Sequence, residues 1–146
     1  MQFLGFNYRL TDFQCAMGIS QLAKLDQFVE RRQGIAHKYE RAFKDLAGLR
    51  LIKELDGRSS SYHLYVIQVE NRREVFDQLR AAGIAVNVHY IPVYWQSYYQ
   101  ELGYKLGLCP KAENYYEKAI SLPMFPKLSD DEVDFVIGKV KEHIKE

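Results

Sequence analysis

The chain has 146 residues, of which 47% are hydrophobic and 27% are charged. This length and composition suit a single globular domain with a buried core. Lysine and arginine total 20 against 19 for aspartate and glutamate, which leaves a net charge of +1. That balance excludes a general electrostatic attraction to nucleic acid or to anionic membranes, so any anion site must be local.

The cysteines and the apolar segments indicate a cytoplasmic protein. Cys15 and Cys109 have neither C-x-x-C spacing nor a histidine cluster nearby, which predicts two free thiols and no metal site. The sequence has no apolar run of transmembrane length, and residues 1–20 lack the pattern of a signal peptide. We therefore expect neither a membrane partner nor a nucleic-acid partner.

A long helical segment is predicted near the start of the chain. Residues 11–14 read TDFQ, a capping box in which Thr11 and Gln14 each satisfy a backbone N–H of the first turn. Apolar residues recur at helical spacing over most of residues 12–46. A straight helix of that length would span about 50 Å, so we expect either a bend near Gly18 or Leu25 or a large partner. Gly34 is a second weak point.

Residues 48–89 predict a small sheet with one helix inserted. Strands are expected at residues 49–52 and 62–69, where apolar and polar residues alternate. A helix is expected to begin at an Asn71 cap and to stop at Gly83, with a third strand over 84–89. Together with a return helix, this order predicts an α+β fold with helices on one face of a mainly antiparallel sheet.

After Pro92 the sequence becomes aromatic and irregular. A short helix is expected over 97–102, and Pro110 suits the first turn of a helix that continues through Ile120. Residues 129–132 read SDDE, a second capping box, which predicts a terminal helix through Ile144.

Two groups of polar residues are candidates for binding. Asn7 and Arg9 alternate along the loop before the first helix, where an amide, a guanidinium and a helix N-terminus could hold a phosphate. The same loop could instead only cap its own helix. Both interpretations remain open.

The second candidate group follows the predicted third strand. His89 and Tyr90 could face a ligand, or the histidine could be satisfied by carbonyls while the tyrosine covers the core; the sequence supports both equally. The chain has 11 tyrosines, many of them between residues 90 and 116. Such a cluster suits a sugar cleft or an interface, but ordinary packing is the more common reason for one.

Several motifs in order resemble one enzyme family. They read GFNYRLTDFQ over 5–14, SYHLYV over 61–66, VHYIP over 88–92 and SLPMFP over 121–126, followed by SDDE. Together they resemble the DegT/StrS sugar aminotransferases, and the form of residues 89–92 is most similar to the branch that makes an amino-altrosamine precursor. The resemblance covers the whole chain but only about the last two fifths of such an enzyme.

This resemblance implies a pyridoxal-phosphate enzyme with the aspartate-aminotransferase fold. It divides the chain into a cofactor and interface loop (1–11), a long connecting helix (12–47) and a small α+β carboxy-terminal domain (48–146). In the family, the Schiff-base lysine and the residues around the cofactor ring precede this segment. The resemblance therefore implies a carboxy-terminal fragment, or a truncated reading frame, that holds no catalytic residue, binds no cofactor by itself and is inactive alone.

Residue roles follow from the matching positions. Asn7 matches the asparagine that reaches the cofactor phosphate of the neighbouring subunit, so it would act in trans. Tyr8 and Arg9 match positions beside the same interface that approach the diphosphate of a nucleotide sugar, a group that suits the paired donors of a guanidinium.

His89, Tyr90 and Tyr94 match the loop that lines the sugar pocket. The intact enzyme would transfer an amino group from an amino acid, expected to be glutamate, to a nucleotide-linked keto-deoxysugar for polysaccharide or glycan synthesis, as a homodimer or higher oligomer. The alternative is a non-catalytic α+β binding or assembly module. In a module, residues 12–46 should pack fully on the sheet. In a fragment, one flank should expose an apolar surface where the large domain belongs, or be covered by self-association.

Overall fold

The computed structural model describes residues 5–6 and 8–144, which form an α+β fold. Within these residues it has six α-helices and one three-stranded antiparallel sheet. In chain order the elements are α1 (Asp12–Leu22), α2 (Leu25–Phe43), β1 (Leu49–Leu51), β2 (Tyr65–Val69), α3 (Arg72–Ala81), a 3-10 turn (Val93–Trp95), α4 (Ser97–Glu101), α5 (Pro110–Lys118), β3 (Ala119–Leu122) and α6 (Asp130–His143). The predicted fold class is confirmed.

The sheet has the order β1-β2-β3, so β2 is its central strand. Leu51 pairs with Ile67, and Ile67 pairs with Ile120 on the other side. Alternate residues of β2 are buried, as expected for a strand with one face against a core. The predicted strands at 49–52 and 62–69 are confirmed with shorter bounds.

The core lies between this face of the sheet and three helices. Helices α2, α3 and α6 each bury a stripe of residues at helical spacing, and these stripes join the alternate residues of β2 in one cluster. The buried residues of the three helices are Ile35, Ala36, Tyr39 and Phe43 of α2, Val75 and Leu79 of α3, and Val133, Val136 and Val140 of α6.

Polar side chains of α2 also hold the loops around the sheet. Arg32 Nη1 donates to the carbonyl oxygens of Tyr62 at 3.0 Å and of Met124 at 3.3 Å. The hydroxyl of Tyr39, a fully buried residue, donates to the Pro123 carbonyl oxygen at 3.1 Å. Helix α2 thus ties the start of β2 to the segment that follows β3.

The third strand is not the one that the sequence predicts. Residues 84–89 form only an isolated bridge, between Asn87 and Ser121, and the strand is Ala119–Leu122, where the sequence pattern predicts the end of a helix. All four residues of β3 are buried. A short buried strand shows no alternation, so its apolar residues can be mistaken for the continuation of the preceding helix.

The long helical segment consists of two helices separated by a turn at Ala23 and Lys24. The break lies beside Leu25, one of the two expected bends, and α2 continues through Gly34. Both capping boxes are confirmed: Gln14 N donates to Thr11 Oγ1 at 3.3 Å, and Thr11 N donates to Gln14 Oε1 at 2.9 Å. Helix α3 begins after Asn71 as predicted, but the Asn71 side chain makes no capping hydrogen bond.

Helix α1 differs from the other long helices because none of its residues is buried in the described part of the chain. Its apolar side chains are largely exposed, including Phe13 at 74% and Ile19 at 71%. The apolar residues of this exposed surface, which we call the α1 surface, are Phe6, Tyr8, Leu10, Phe13, Met17, Ile19, Leu22 and Leu25. The domain core therefore begins at α2.

Cys15 and Cys109 are free and exposed, as the sequence predicts. Among residues 5–6 and 8–144, every helix is too short or too polar to cross a bilayer.

The contrast between α1 and the core predicts that the same substitution lowers the free energy of unfolding by different amounts at the two places. Ile67→Ala, in the fully buried centre of β2, should lower the free energy of unfolding by about 2–5 kcal/mol. Ile19→Ala, on the α1 surface, should change it by less than about 0.5 kcal/mol. Urea unfolding of the two variants at low protein concentration measures both values, and a comparable loss in Ile19→Ala would mean that α1 is packed.

Candidate functional site

His89 is held beside the sheet by the bridge that replaces the predicted third strand. Asn87 and Ser121 exchange two backbone hydrogen bonds, at 3.2 and 2.8 Å. Because side chains alternate along an extended chain, His89 lies on the same side as Asn87 and next to Ser121. His89 Nδ1 lies 2.8 Å from Ser121 Oγ. The histidine is thus anchored by a side chain, whereas the sequence suggests carbonyls or a ligand.

Tyr90 adjoins His89 but remains exposed. The ring centroids of Tyr90 and His89 are 4.5 Å apart and the rings meet edge to face. The peptide bond between the two residues is cis. Tyr90 is 69% exposed, so its ring and hydroxyl do not cover the core. The pair therefore forms a half-exposed aromatic surface with one anchored member.

Tyr94 lies in the 3-10 turn that follows and takes part in a hydrogen-bonded group. Its hydroxyl donates to Glu113 Oε1 at 2.5 Å and accepts from Cys109 N at 3.2 Å. The same Glu113 oxygen accepts from Gly107 N at 2.7 Å. These bonds join the turn, the loop before α5 and α5 itself, so they fix these three segments relative to one another.

The ionisation of this group follows from its surroundings. Desolvation, together with the hydrogen bond to Glu113, raises the pKa of Tyr94 to about 12. The hydrogen bond from Tyr94, followed by that from Gly107 N, lowers the pKa of Glu113 below its ordinary value. Near neutral pH the phenol is protonated and the carboxylate is charged, which is the combination that the short hydrogen bond requires.

The aromatic residues after Pro92 serve two purposes. Trp95 and Tyr116 pack edge to face with their centroids 5.5 Å apart, which is ordinary packing. Tyr98 and Tyr104, in contrast, are 66% and 48% exposed. The segment thus combines an internal aromatic contact with phenols that remain available to a ligand or a partner.

The candidates before α1 are separate from this group. Tyr8 is 91% exposed and stacks on Phe6, with centroids 5.5 Å apart. Arg9 is exposed next to the Thr11 capping box. Asn7 lies outside the described residues. The described hydrogen bonds include none between residues 8–11 and residues 88–94, so no described hydrogen bond joins the two candidate groups.

Sequence reasoning misses two residues that organise the site. The sequence pattern places Ser121 at the end of a helix, although a serine within an otherwise apolar run is a signal that its hydroxyl has a partner. Glu113 gives no signal, because its partners Tyr94 and Gly107 approach it only through the tertiary structure.

The lowered pKa of Glu113 predicts a pH-dependent contribution to stability. A carboxylate with a depressed folded-state pKa stabilises the fold above its unfolded value, 4.5, and this contribution is lost as pH falls through the folded value. Glu113→Gln keeps an acceptor oxygen but cannot titrate. The stability advantage of the unsubstituted chain over Glu113→Gln, measured by urea unfolding, should therefore shrink from pH 7 to pH 4. Glu117→Gln, on the exposed side of α5, is the control; an equal trend there would contradict the assignment to Glu113.

Comparison with known proteins supports the family resemblance of the sequence motifs. Residues 1–141 match the DegT/DnrJ/EryC1/StrS aminotransferase family. The spore coat polysaccharide biosynthesis protein SpsC of Bacillus subtilis is 38% identical over 149 residues, covering 97% of this chain and 38% of SpsC. The UDP-4-amino-4,6-dideoxy-N-acetyl-beta-L-altrosamine transaminase of Campylobacter jejuni serotype O:2 is 39% identical, covering 91% of this chain and 36% of that protein.

Solved structures show the same relationship. The PLP form of the putative sugar aminotransferase Spr1654 from Streptococcus pneumoniae superposes with a TM-score of 0.86 at 33% identity, covering 94% of this chain and 37% of that one. The chain thus spans about two fifths of the length of the curated relatives it matches. With its fold and nearly its whole length matched, the chain belongs to the DegT/DnrJ/EryC1/StrS aminotransferase family.

Proposed function

We propose that this chain is the carboxy-terminal part of a pyridoxal-phosphate-dependent sugar aminotransferase. The whole protein would transfer an amino group from an amino acid, with glutamate as the expected donor, to a nucleotide-linked keto-deoxysugar for polysaccharide or glycan synthesis. Family membership supports the class of reaction, and the fraction of the relatives that the chain spans supports the division into parts. We place the whole protein in the cytoplasm as a homodimer or higher oligomer.

The observation that carries this proposal is the α1 surface. Large apolar side chains are costly to leave in water, and where many are exposed close together in sequence they mark contact surfaces. In an independent binding module, α1 would be expected to pack on the sheet, yet it buries nothing there. The α1 surface therefore favours a helix that is covered by another part of a larger protein over a free-standing module.

The residues before α1 would bind phosphate groups. Arg9 is exposed, and within the described residues it forms no salt bridge, so its charge is available for an anion. It precedes a helix N-terminus, where the dipole also favours negative charge. Asn7 would hold the phosphate of the neighbouring subunit, with Tyr8 and Arg9 nearer the substrate diphosphate. When bound, the cofactor supplies the electron sink for amino transfer.

The surface formed by His89, Tyr90 and Tyr94 would contact the sugar. A deoxysugar has apolar faces as well as hydroxyls, and aromatic rings with polar tips complement both. His89 and Tyr90 offer such a surface, while the hydroxyl of Tyr94 is already bonded to Glu113. In this arrangement Tyr94 contributes its ring, and its hydroxyl fixes the loop.

The chain alone should show no transaminase activity, because the cofactor-binding lysine of the family precedes the matched segment. A reading frame upstream of Met1 that encodes this lysine would supply the whole enzyme.

In that protein, Asn7→Ala should reduce the amount of cofactor retained after gel filtration, measured by its absorbance. Asn114→Ala, at an exposed position of α5, is the control. Unchanged retention in Asn7→Ala would refute the phosphate assignment, and transamination by the chain alone would refute the division into parts.

The α1 surface also predicts a difference in backbone protection. Amides of residues 16–22 should exchange with solvent much faster than those of residues 35–43, because none of the described residues of α1 is buried, so little packing opposes local opening. Hydrogen exchange of the chain followed by mass spectrometry measures both segments. In the whole enzyme the amides of α1 should become protected. Equal protection of the two helices in the isolated chain would favour the module.

A further inference from the structure

Ser121 is the single residue that is both polar and buried among those described, with 4% of its surface exposed. It lies in β3 between two neighbours, pairing with Val66 of β2 on one side and with Asn87 on the other. This double pairing fixes its backbone, and therefore the place of its hydroxyl. Within the described part of the chain, the one hydrogen bond of its side chain is that to His89 Nδ1, at 2.8 Å.

The direction of this hydrogen bond follows from counting donors and acceptors. If Nδ1 carried the proton, it would donate to Ser121 Oγ, and the serine proton would need another acceptor. Among the described residues, Ser121 Oγ has no other partner. A buried hydroxyl proton without an acceptor costs about 1–3 kcal/mol. The arrangement that gives the buried Ser121 proton an acceptor is the one in which Ser121 donates to an unprotonated Nδ1.

We propose that Ser121 is a positioning residue that holds neutral His89 in its Nε2–H form. The imidazole then presents a hydrogen-bond donor, and a ligand atom bound there must be an acceptor. Nε2 has no partner among the described residues, and His89 is half-buried. The position of the ring is further restricted by the edge-to-face contact with Tyr90.

The part of this proposal that concerns the ligand rests on the proposed function. In a nucleotide sugar, phosphoryl and carbonyl oxygens can only accept, so a fixed Nε2–H donor would select them. The opposite tautomer would present a lone pair to these oxygens and repel them. Ser121, remote from the ligand itself, would thereby decide which atoms His89 can bind.

Nuclear magnetic resonance of the chain with 15N-labelled histidine tests the assignment. Long-range proton–nitrogen spectra at mildly alkaline pH, where imidazoles are neutral, distinguish the two tautomers. We expect His89 to show a protonated Nε2, and an Nδ1 resonance shifted upfield as for an acceptor nitrogen in a hydrogen bond. Ser121→Ala should move the Nδ1 resonance downfield, and Ser121→Thr, which retains a hydroxyl, should restore it.

The controls distinguish an effect on His89 from a general effect of substitution. Ser97→Ala removes an exposed hydroxyl and should leave the His89 resonances unchanged, while His37 and His63 serve as internal references. A protonated Nδ1 in the unsubstituted chain would overturn the proposal, and this holds even if Ser121→Ala fails to fold. An unchanged Nδ1 resonance in folded Ser121→Ala would overturn it as well. Neither outcome depends on transamination, so a failure of the proposed function would be seen separately.

Discussion

The rest of the domain depends on one arginine of α2, which binds backbone carbonyls at the end of the sheet where β2 begins and β3 ends. Arg32 donates to the carbonyl oxygens of Tyr62 and His63 before β2, and to that of Met124 after β3. A charged donor makes stronger hydrogen bonds than a neutral one, and each of these carbonyls would otherwise need water. Next to it, Tyr39 binds the Pro123 carbonyl oxygen from within the core.

These bonds connect the core to the site in a definite order. Helix α2 fixes the segment that leaves β3, and β3 presents Ser121 towards the chain that runs along its free edge. Ser121 then holds His89. The loop beyond is fixed independently by Tyr94 and Glu113, so residues 89–94 are anchored at both ends while Tyr90 between them stays exposed. The exposed side chains thus belong to a segment whose backbone is well supported.

Helix α1 and the rest of the described chain differ in how far their apolar side chains are buried. From α2 onward, helices α2, α3 and α6 bury their apolar stripes against the sheet in one cluster. Helix α1 has the composition of a buried helix and the exposure of a surface one. This conflict is not explained by the described residues alone, and it is resolved if α1 contributes its apolar side chains to a core that lies elsewhere in a longer protein.

The sequence by itself determined the features that depend on neighbouring residues. The capping boxes at Thr11 and Ser129 join residues three positions apart, and the family motifs are continuous strings, so both can be recognised from the order of the amino acids alone. Only the tertiary structure decided that Ala119–Leu122 is a strand and that residues 84–89 are not. Backbone pairing across a sheet depends on distant residues, and a fully buried strand has no periodicity to distinguish it from a helix. For the same reason the contacts of His89 with Ser121 and of Tyr94 with Glu113 arise only in the folded chain.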